Sequence, residues 1–236
     1  FNTLGLFKNV YWSATSEMEV TDILNVIKTD RKKIFIAEDL PRAVRGVRII
    51  KIKNPGELKV VFISRFSPKK NLLQAIKILQ QVKCNVKFTL YGPDEDKDYW
   101  SECQKELNKF PNNVSWAWKG NLESEKVVET LKNQDVFLFP TRGENFGHVI
   151  QEALSAGCPC IISDQTPWQD FKSQGVGYVL PLSDDESFVD AIEKYAAMGQ
   201  EEFQNVVDKA HQYAIRVSND KVKNTGYRRI FEIRNR

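Results

Sequence analysis

The sequence has few of the residues that mark secreted, metal-binding or membrane-spanning proteins. Its apolar runs all stay well short of the ~18 residues that a membrane span requires. Of its four cysteines, only Cys158 and Cys160 lie close together, whereas a zinc site usually takes two such pairs. The sequence therefore predicts no metal centre and favours reduced, buried thiols in a cytoplasmic protein.

Several enzyme classes are disfavoured by other absences. The chain has only two histidines, His148 and His211, and no Gly-x-Ser-x-Gly segment. This disfavours a hydrolase with a catalytic triad. No Gly-x-Gly-x-x-Gly follows a predicted strand, and this disfavours a nicotinamide-dependent dehydrogenase. The formal net charge of +3 is too small by itself to predict a nucleic-acid partner.

Basic residues are unevenly distributed along the chain. One run contains no acid and consists of Arg42, Arg45, Arg48, Lys51 and Lys53. A second set, beside only Asp220 and Glu232, consists of Arg216, Lys221, Lys223, Arg228, Arg229, Arg234 and Arg236. Such runs usually form a solvated face or a linker. The alternative is weak attraction to an anionic membrane surface, with the protein peripheral at the inner face of the membrane.

The chain contains ample material for a packed core, with 42% hydrophobic residues and 14 Phe. Apolar or β-branched runs alternate with helical patterns, and they predict strands at 59–64, 86–91, 114–118, 135–139, 159–163 and 177–180. This alternation predicts an α/β fold with a doubly wound, Rossmann-like parallel sheet. Ligands of such sheets bind at the carboxyl ends of the strands, where the loops after Ser64, Tyr91, Trp118 and Phe139 gather.

Helical spacing predicts helices that begin after Lys70 and near Glu123, and a third that ends at Gly157. Two acidic clusters, 94–96 and 184–186, are predicted to be helix starts, although the first also has an Asp-x-Asp form that can hold a metal. Trp116 and Trp118 alternate on a strand, and we expect them in the core rather than as platforms for a base.

Residues 1–54 follow a separate pattern. Short strands predicted at 10–14 and 33–37 flank a helix that a capping box at Ser16 and Glu19 opens. Because one strand–helix–strand cannot bury both faces of a sheet, we expect residues 1–54 to be a remnant of an N-terminal domain with its linker, and 55–236 to be the main domain. The chain starts at Phe1 with neither Met nor a signal-peptide pattern, so we expect a piece of a longer protein.

The most informative segment runs from Gly143 to Gly157. It places Glu144 and Glu152 eight residues apart, with Gly147 at the predicted start of a helix. Helix N-termini attract phosphates because their first N–H groups lack partners, and carboxylates accept hydrogen bonds from sugar hydroxyls. The segment therefore predicts a site for a sugar joined to a diphosphate.

Two alternatives for this segment remain open. On one continuous helix, Glu144, His148 and Glu152 would share a face that could hold a metal, although the glycines place Glu144 before the helix. His148 and Glu152 could also form a plain surface ion pair.

A second segment follows the strand at 59–64. Arg65 and Lys70 flank a tight turn before a helix. The planar guanidinium of Arg65 can donate two hydrogen bonds to phosphate oxygens, and the ammonium of Lys70 supplies a compact positive charge.

These two segments resemble the family 4 (group 1) retaining glycosyltransferases of GT-B fold. The resemblance rests on Ser-Arg-Phe-x-Pro-x-Lys at 64–70 and on Glu-x7-Glu-Ala-x3-Gly-x-Pro at 144–159. It runs in order from about residue 59 to 163, and more loosely to the end of the chain. At residue 71 the chain departs from the family, which usually has Gly there; Asn tolerates the left-handed conformation better than most residues.

The resemblance implies a role for each matching residue. Arg65 and Lys70 would bind the diphosphate of the donor, and Glu144 would bind hydroxyls of the transferred sugar. Further donor-binding residues would be Glu152 at the ribose, the backbone of Asn145, Phe146, Gly147 and His148, and Lys119, Gly120 and Gly92 near the base. No metal or other cofactor is implied.

The function implied is retaining transfer of a sugar from a nucleotide-diphosphate sugar to an unknown acceptor hydroxyl, in bacterial polysaccharide biosynthesis. Acceptors of GT-B enzymes bind mostly to the N-terminal domain, so we expect this chain to be inactive alone. One alternative is a sugar-nucleotide epimerase of the same fold, for which only His148 could serve as acid or base. The other is a non-catalytic nucleotide-sugar-binding module, which intact Arg65, Lys70, Glu144 and Glu152 disfavour.

Overall fold

A computed structural model describes residues 6–7, 9–37, 39 and 42–221. The larger of two compact units comprises Arg42–Arg216, and the described residues on either side of it belong to the smaller unit. The basic residues Lys223, Arg228, Arg229, Arg234 and Arg236 lie outside the described residues, as does the start of the chain.

The smaller unit contains the predicted strand–helix–strand. Its elements are β1 (Trp12–Ala14), α1 (Glu17–Val26) and β2 (Ile34–Ile36), and the two strands pair in parallel. Ser16 caps the helix, because its Oγ accepts a hydrogen bond from the Glu19 N–H at 3.2 Å. Ala14, Val20 and Ile34 form a small core of buried side chains.

The larger unit is built around six parallel strands in the order β5-β4-β3-β6-β7-β8. The strands are β3 (Glu57–Ile63), β4 (Asn85–Tyr91), β5 (Val114–Trp118), β6 (Val136–Phe139), β7 (Cys160–Ser163) and β8 (Gly177–Leu180). The helices are α2 (Leu72–Leu79), α3 (Lys97–Leu107), α4 (Val127–Lys132), α5 (His148–Ser155), α6 (Phe171–Gln174), α7 (Asp185–Ala197) and α8 (Gln200–Lys221). The predicted α/β doubly wound sheet is confirmed, and each strand begins and ends within two residues of its predicted bounds.

The central strands are buried on both faces. Every residue of β6 and β7 is buried, as continuous apolar runs predict for strands between two helical layers. Helix α2 packs against α3 and α7, whereas α4 packs against α5. Because crossovers between parallel strands are right-handed, the chain places α2 and α5 on opposite faces of the sheet.

Local signals in the sequence also set the helix ends. Asp96 and Asp184 cap α3 and α7 by accepting N–H bonds from Tyr99 and Ser187, each at 3.0 Å, so both acidic clusters start helices as predicted. Helix α5 ends in a Schellman motif, in which the Cys158 N–H donates to the carbonyl of Ala153 at 2.8 Å. Gly157 holds the left-handed position of this motif, with φ of 59°.

The four cysteines are unpaired. Cys103, Cys158 and Cys160 are buried, as expected for the last two, and burial raises the pKa of the Cys158 thiol to about 11. None of the helices in the described residues is long and apolar enough to cross a bilayer.

The basic run at residues 42–53 is only partly solvated. Lys51 and Lys53 are each 4% exposed. The Lys51 ammonium donates to the carbonyls of Leu131 and Gln134, and the Lys53 ammonium to three carbonyls, including that of Ala196. The interpretation as a solvated face or linker is therefore wrong for these two lysines, because backbone carbonyls replace water around their charges.

The extended backbone around Lys51 belongs to the larger unit, so the boundary falls before residue 42 rather than after residue 54. Glutamine side chains of α8 hold this backbone. Gln204 accepts from the Lys51 N–H at 3.1 Å and donates to the Ile49 carbonyl at 2.7 Å. Gln200 likewise accepts from the Lys53 N–H and donates to the Lys51 carbonyl. The amides act as a neighbouring strand would, since buried backbone groups need partners.

We expect Gln204→Ala to lower the free energy of unfolding by about 1–3 kcal/mol, because it leaves one N–H and one carbonyl without partners. Urea unfolding followed by circular dichroism would measure this loss. Gln212 is exposed on the same helix, and Gln212→Ala should change stability by less than about 0.5 kcal/mol. Equal effects of the two variants would contradict the bridging role.

Candidate donor-binding site

Strands β3 and β6 lie side by side, but the chain leaves them in opposite directions. After β3 it passes through α2 to β4, and after β6 it passes through α5 to β7 on the other side. In doubly wound sheets this divergence opens a crevice at the carboxyl ends of the two strands, which is where ligands bind. The loops at this crevice carry the predicted residues Arg65, Lys70, Glu144 and Gly147.

An ion pair joins the two loops across the crevice. The ammonium of Lys70, after β3, contacts Oε1 of Glu144, after β6. The two side chains are 17% and 12% exposed, respectively. The Lys70 ammonium also lies over the ring of Phe139, 5.8 Å from its centroid. The structure thus brings together a residue predicted to bind the diphosphate and the residue predicted to bind the transferred sugar.

Backbone hydrogen bonds fix the distance between these loops. The Arg142 N–H donates to the carbonyl of Lys69 at 2.8 Å, and the Thr141 hydroxyl donates to the same carbonyl at 3.2 Å. The loop after β7 adds support, because the Glu144 N–H donates to the carbonyl of Gln165 at 3.1 Å. Glu144 is therefore held by its backbone as well as by its charge.

Asn71 takes the conformation for which the related family usually uses Gly. Its φ is 61°, and among the described residues it alone combines a positive φ with a side chain. The expectation that Asn could occupy this turn is confirmed. Its buried amide donates to the carbonyl of Pro140 at 2.8 Å, which ties the start of α2 to the end of β6.

The start of α5 forms the wall of the crevice beside Glu144. Gly147 has φ of 79°, and a Cβ there would lie 2.8 Å from Cδ1 of Ile150. The helix begins at His148, so Glu144 lies before it, as predicted. The shared helical face that a metal site at Glu144, His148 and Glu152 would require is thus interrupted.

Two backbone N–H groups of this turn lack hydrogen-bond partners. The N–H groups of Asn145 and Gly147 have no hydrogen-bond partner in the described part of the chain. Phe146 is buried between the rings of His148 and Trp168, at centroid distances of 4.8 and 5.4 Å, and the Trp168 indole donates to its carbonyl. The aromatic anchor holds the turn while its neighbours' N–H groups remain available to an anion.

The residues predicted to lie near the base come together at the ends of β4 and β5. The Gly92 N–H donates to the carbonyl of Gly120 at 2.9 Å, and Lys119 between the strand and Gly120 is exposed. Gly92 permits a close approach, since a Cβ there would lie 1.8 Å from the carbonyl oxygen of Ser64. Arg65 follows Ser64 and is exposed.

Trp118 is not a core residue, contrary to expectation. Its side chain is 38% exposed, and its indole N–H donates to the Gly92 carbonyl at 3.1 Å. Its ring packs beside Phe66 and Trp100, at centroid distances of 6.1 and 5.1 Å. Trp116 is half-buried. β5 is the edge strand of the sheet, so no further strand lies on its outer side. The alternation of Trp116 and Trp118 in the sequence does not show this edge position.

Glu152 lies on α5 and is 7% exposed, which excludes the surface position that an exposed pair with His148 would require. Its Oε1 forms an ion pair with Nη1 of Arg42, at 2.8 Å. Burial raises the pKa of Glu152, whereas the charge of Arg42 lowers it. Sequence analysis missed Arg42 as a site residue, because no spacing rule relates residues so far apart in the chain.

A family model described as glycosyl transferases group 1 matches residues 47–213, and the chain belongs to this family. It is 25% identical over 158 residues to a phosphatidyl-myo-inositol mannosyltransferase of Mycobacterium leprae, covering 60% of this chain and 41% of that protein. It is 24% identical over 195 residues to a lipopolysaccharide 1,6-galactosyltransferase of Escherichia coli, covering 82% of this chain and 50% of that protein. The chain thus spans about half the length of these relatives.

Solved glycosyltransferases of GT-B type share the fold. HepE of Anabaena, crystallised with UDP-glucose, superposes with a TM-score of 0.70 at 15% identity, covering 94% of this chain and 65% of that chain. WaaG, a glycosyltransferase of lipopolysaccharide biosynthesis, superposes with a TM-score of 0.63 at 16% identity, covering 86% of this chain and 57% of that chain. At these identities the likeness establishes the Rossmann-like fold.

We expect Asn71→Ala to lower the free energy of unfolding by about 2 kcal/mol, because it combines left-handed strain with the lost bond to Pro140. Asn71→Gly should lower it by only about 1 kcal/mol, since Gly relieves the strain and loses only the hydrogen bonds of the amide to Pro140 and Gln74. Chemical unfolding of both variants would measure the difference. A Gly variant no more stable than the Ala variant would contradict this account of the turn.

Proposed function

We propose that this chain binds the donor of a family 4 retaining glycosyltransferase, which moves a sugar from a nucleotide-diphosphate sugar to an acceptor hydroxyl. The observation that carries the proposal is the Lys70–Glu144 pair at the crevice between β3 and β6. A cation for a diphosphate and a carboxylate for sugar hydroxyls meet there at the start of α5. Membership of the glycosyl transferase group 1 family supports the same conclusion.

The diphosphate binds to Arg65, Lys70 and the N–H groups at the start of α5. Arg65 is exposed and has no ion pair within the described residues, so its guanidinium is available for phosphate oxygens. Lys70 is held by Glu144 until the diphosphate supplies a competing negative charge. As the sugar leaves, these positive groups stabilise the developing charge on the phosphate from fixed positions.

The sugar and the nucleoside bind on either side of the diphosphate. Glu144 accepts hydrogen bonds from hydroxyls of the transferred sugar once Lys70 turns to the phosphate. The backbone of Asn145, Phe146, Gly147 and His148 adds donors to sugar and phosphate. Glu152 accepts the ribose hydroxyls, and Lys119, Gly120 and Gly92 bind the base.

We propose metal-independent transfer, because two cations and a helix start can neutralise the leaving diphosphate. No residue in the described part of the chain is assigned as general base for the transfer, and the leaving phosphate itself is proposed to accept the acceptor's proton on the same face of the sugar. Such a front-face step retains the configuration of the anomeric carbon.

The acceptor is proposed to be a hydroxyl of a bacterial surface glycan or glycolipid precursor, assembled at the cytoplasmic face of the membrane. The names of the relatives support this class, since they act on phosphatidyl-myo-inositol and lipopolysaccharide. Acceptor binding is assigned to an N-terminal domain, of which residues 1–41 are proposed to be the last part. We therefore propose that the 236-residue chain binds donor but transfers little sugar.

We expect calorimetric titration in the presence of EDTA to show binding of one of UDP, GDP and ADP in the micromolar to submillimolar range. UDP is the first to test, because HepE was crystallised with UDP-glucose. Arg65→Ala should weaken binding at least tenfold, since charge-assisted hydrogen bonds contribute about 1.5–3 kcal/mol. Lys105→Ala, an exposed lysine on α3, is the charge-matched control and should have no effect. Absence of binding to all three nucleotides would contradict the proposal.

Glu144→Ala separates sugar recognition from nucleotide recognition. We expect the variant to bind the bare nucleoside diphosphate within about threefold of the unmodified chain, because the diphosphate contacts remain. Its preference among sugar-linked forms of that nucleotide should disappear, since Glu144 is the carboxylate assigned to the sugar hydroxyls. Competition titrations with glucose-, galactose- and N-acetylglucosamine-linked donors would measure this. A variant that keeps the original preference would rule out the assigned role.

A further inference from the structure

Arg42, the first residue of the larger unit, is fixed at both its backbone and its side chain. Gln151, which is 1% exposed, accepts from the Arg42 N–H at 3.0 Å and donates to the Arg42 carbonyl at 2.8 Å. The guanidinium uses Nη1 for Glu152, at 2.8 Å, and Nη2 for the hydroxyl of Ser124, at 2.7 Å. These contacts define both the position and the plane of the guanidinium.

Glu152 depends on this contact. Its side chain is almost fully buried, and within the described residues the ion pair with Arg42 is the only polar contact of its carboxylate. A buried carboxylate without a partner is costly when ionised and tends to take up a proton instead. Arg42 therefore allows Glu152 to be both buried and negatively charged.

The contact leaves acceptor capacity on Glu152. An ionised carboxylate has about four lone-pair sites, and the Arg42 ion pair lies at Oε1 alone. The remaining sites, including both on Oε2, suffice for the two hydroxyls of a ribose. Ser124 belongs to a short turn, Ser124–Lys126, in the segment after Lys119 and Gly120, so the guanidinium spans from the loop proposed for the base to the carboxylate proposed for the ribose.

We propose that Arg42 is a positioning residue for nucleotide recognition, which keeps Glu152 ionised and orients its free oxygens toward the 2′- and 3′-hydroxyls of the donor's ribose. This inference rests on the proposed function of Glu152 and extends it to a residue outside the family's two motifs. Arg42 acts through Glu152, and no direct contact between Arg42 and the nucleotide is required.

Other charged groups are near but do not replace Arg42. Glu152 and Arg42 line a cleft of about 630 Å³ that also exposes Arg45, Arg48, Lys132 and His211. His148 lies one turn earlier on α5 and is exposed. None of these side chains forms an ion pair with Glu152 in the described structure, and Arg42 is the charge that lowers its pKa.

The pH dependence follows from these opposing influences. Burial raises the pKa of Glu152 and Arg42 lowers it. Removal of Arg42 leaves only the effect of burial, so the pKa of Glu152 should rise. A larger fraction of Glu152 is then protonated at mildly acidic pH. A protonated carboxyl accepts hydrogen bonds less strongly than a carboxylate. Nucleotide binding should therefore weaken as the pH falls, and it should do so at higher pH in the variant than in the unmodified chain.

The test uses the full 236-residue chain and the matched pair Arg42→Met and Arg45→Met. The UDP, GDP or ADP that binds the unmodified chain, together with its 2′-deoxy form, is titrated at pH 6 and pH 8. Arg42→Met should weaken binding of the ribonucleotide on the order of tenfold at pH 6 and less at pH 8. The 2′-deoxynucleotide should be affected less, since it lacks one of the hydroxyls that Glu152 accepts. Arg45→Met should match the unmodified chain throughout.

Two further variants guard against a merely structural effect. Arg42→Lys keeps the charge, so it should restore most of the affinity at pH 6 although it cannot contact Ser124 and Glu152 together. Arg42→Met in a Glu152→Gln background should cause no additional loss, because the group through which it acts is gone. Thermal unfolding of each variant tests whether it is folded. If Arg42→Met is not folded, Ser124→Ala takes its place, because it removes only the hydrogen bond between Ser124 and the Arg42 guanidinium.

Three results would overturn the inference: unchanged binding in Arg42→Met, tighter binding, or equal losses for the ribo- and deoxyribonucleotide. Tighter binding would show that Arg42 competes with the ribose for Glu152 instead of preparing it. If the unmodified chain binds none of the three nucleotides, the proposed function fails and this inference fails with it. Binding by the unmodified chain with no response to Arg42→Met would reject this inference alone.

Discussion

The divergence of the chain between β3 and β6 is the constraint on which the candidate site depends. Parallel strands direct their carboxyl ends to one edge, and crossovers that leave in opposite directions keep that edge open. Two loops far apart in sequence can therefore face each other, and Lys70 meets Glu144 there. The Asn71 amide, bonded to the Pro140 carbonyl, joins the two loops, so the fold itself holds the residues proposed to bind the donor.

Charges in the larger unit are buried only where a partner compensates them. Lys70 has Glu144, Glu152 has Arg42, and Lys51 has backbone carbonyls. The two ion pairs differ from the buried lysine, because in the proposed function a ligand takes part in each ion pair. A diphosphate can replace the partner of Lys70, and a ribose can share the carboxylate of Glu152, whereas the carbonyls around Lys51 are fixed by the fold. The ion pairs of Lys70 and Glu152 are thus compatible with ligand binding, whereas Lys51 has a structural role.

The segment that carries Arg42 shows how irregular backbone is held in place. Residues 42–53 form no strand, yet Gln151, Gln200 and Gln204 each supply an amide that donates to and accepts from this backbone. Such pairs satisfy buried backbone groups without a sheet. They also fix the point from which Arg42 extends to Glu152, the residue proposed to bind the ribose.

Local pattern determined the strands, the helix starts and the position of Glu144 before α5, because each depends on residues close in the chain. The order of the strands put Arg65, Lys70 and Gly92 at one edge, and this also followed from alternation of β and α elements. Only the tertiary structure decided the pairing of Arg42 with Glu152, the burial of Lys51 and Lys53 and the exposure of Trp118. Periodicity records which side of an element is apolar, but it does not record which distant side chain or carbonyl will cover a charge, or whether a strand lies at the edge of its sheet.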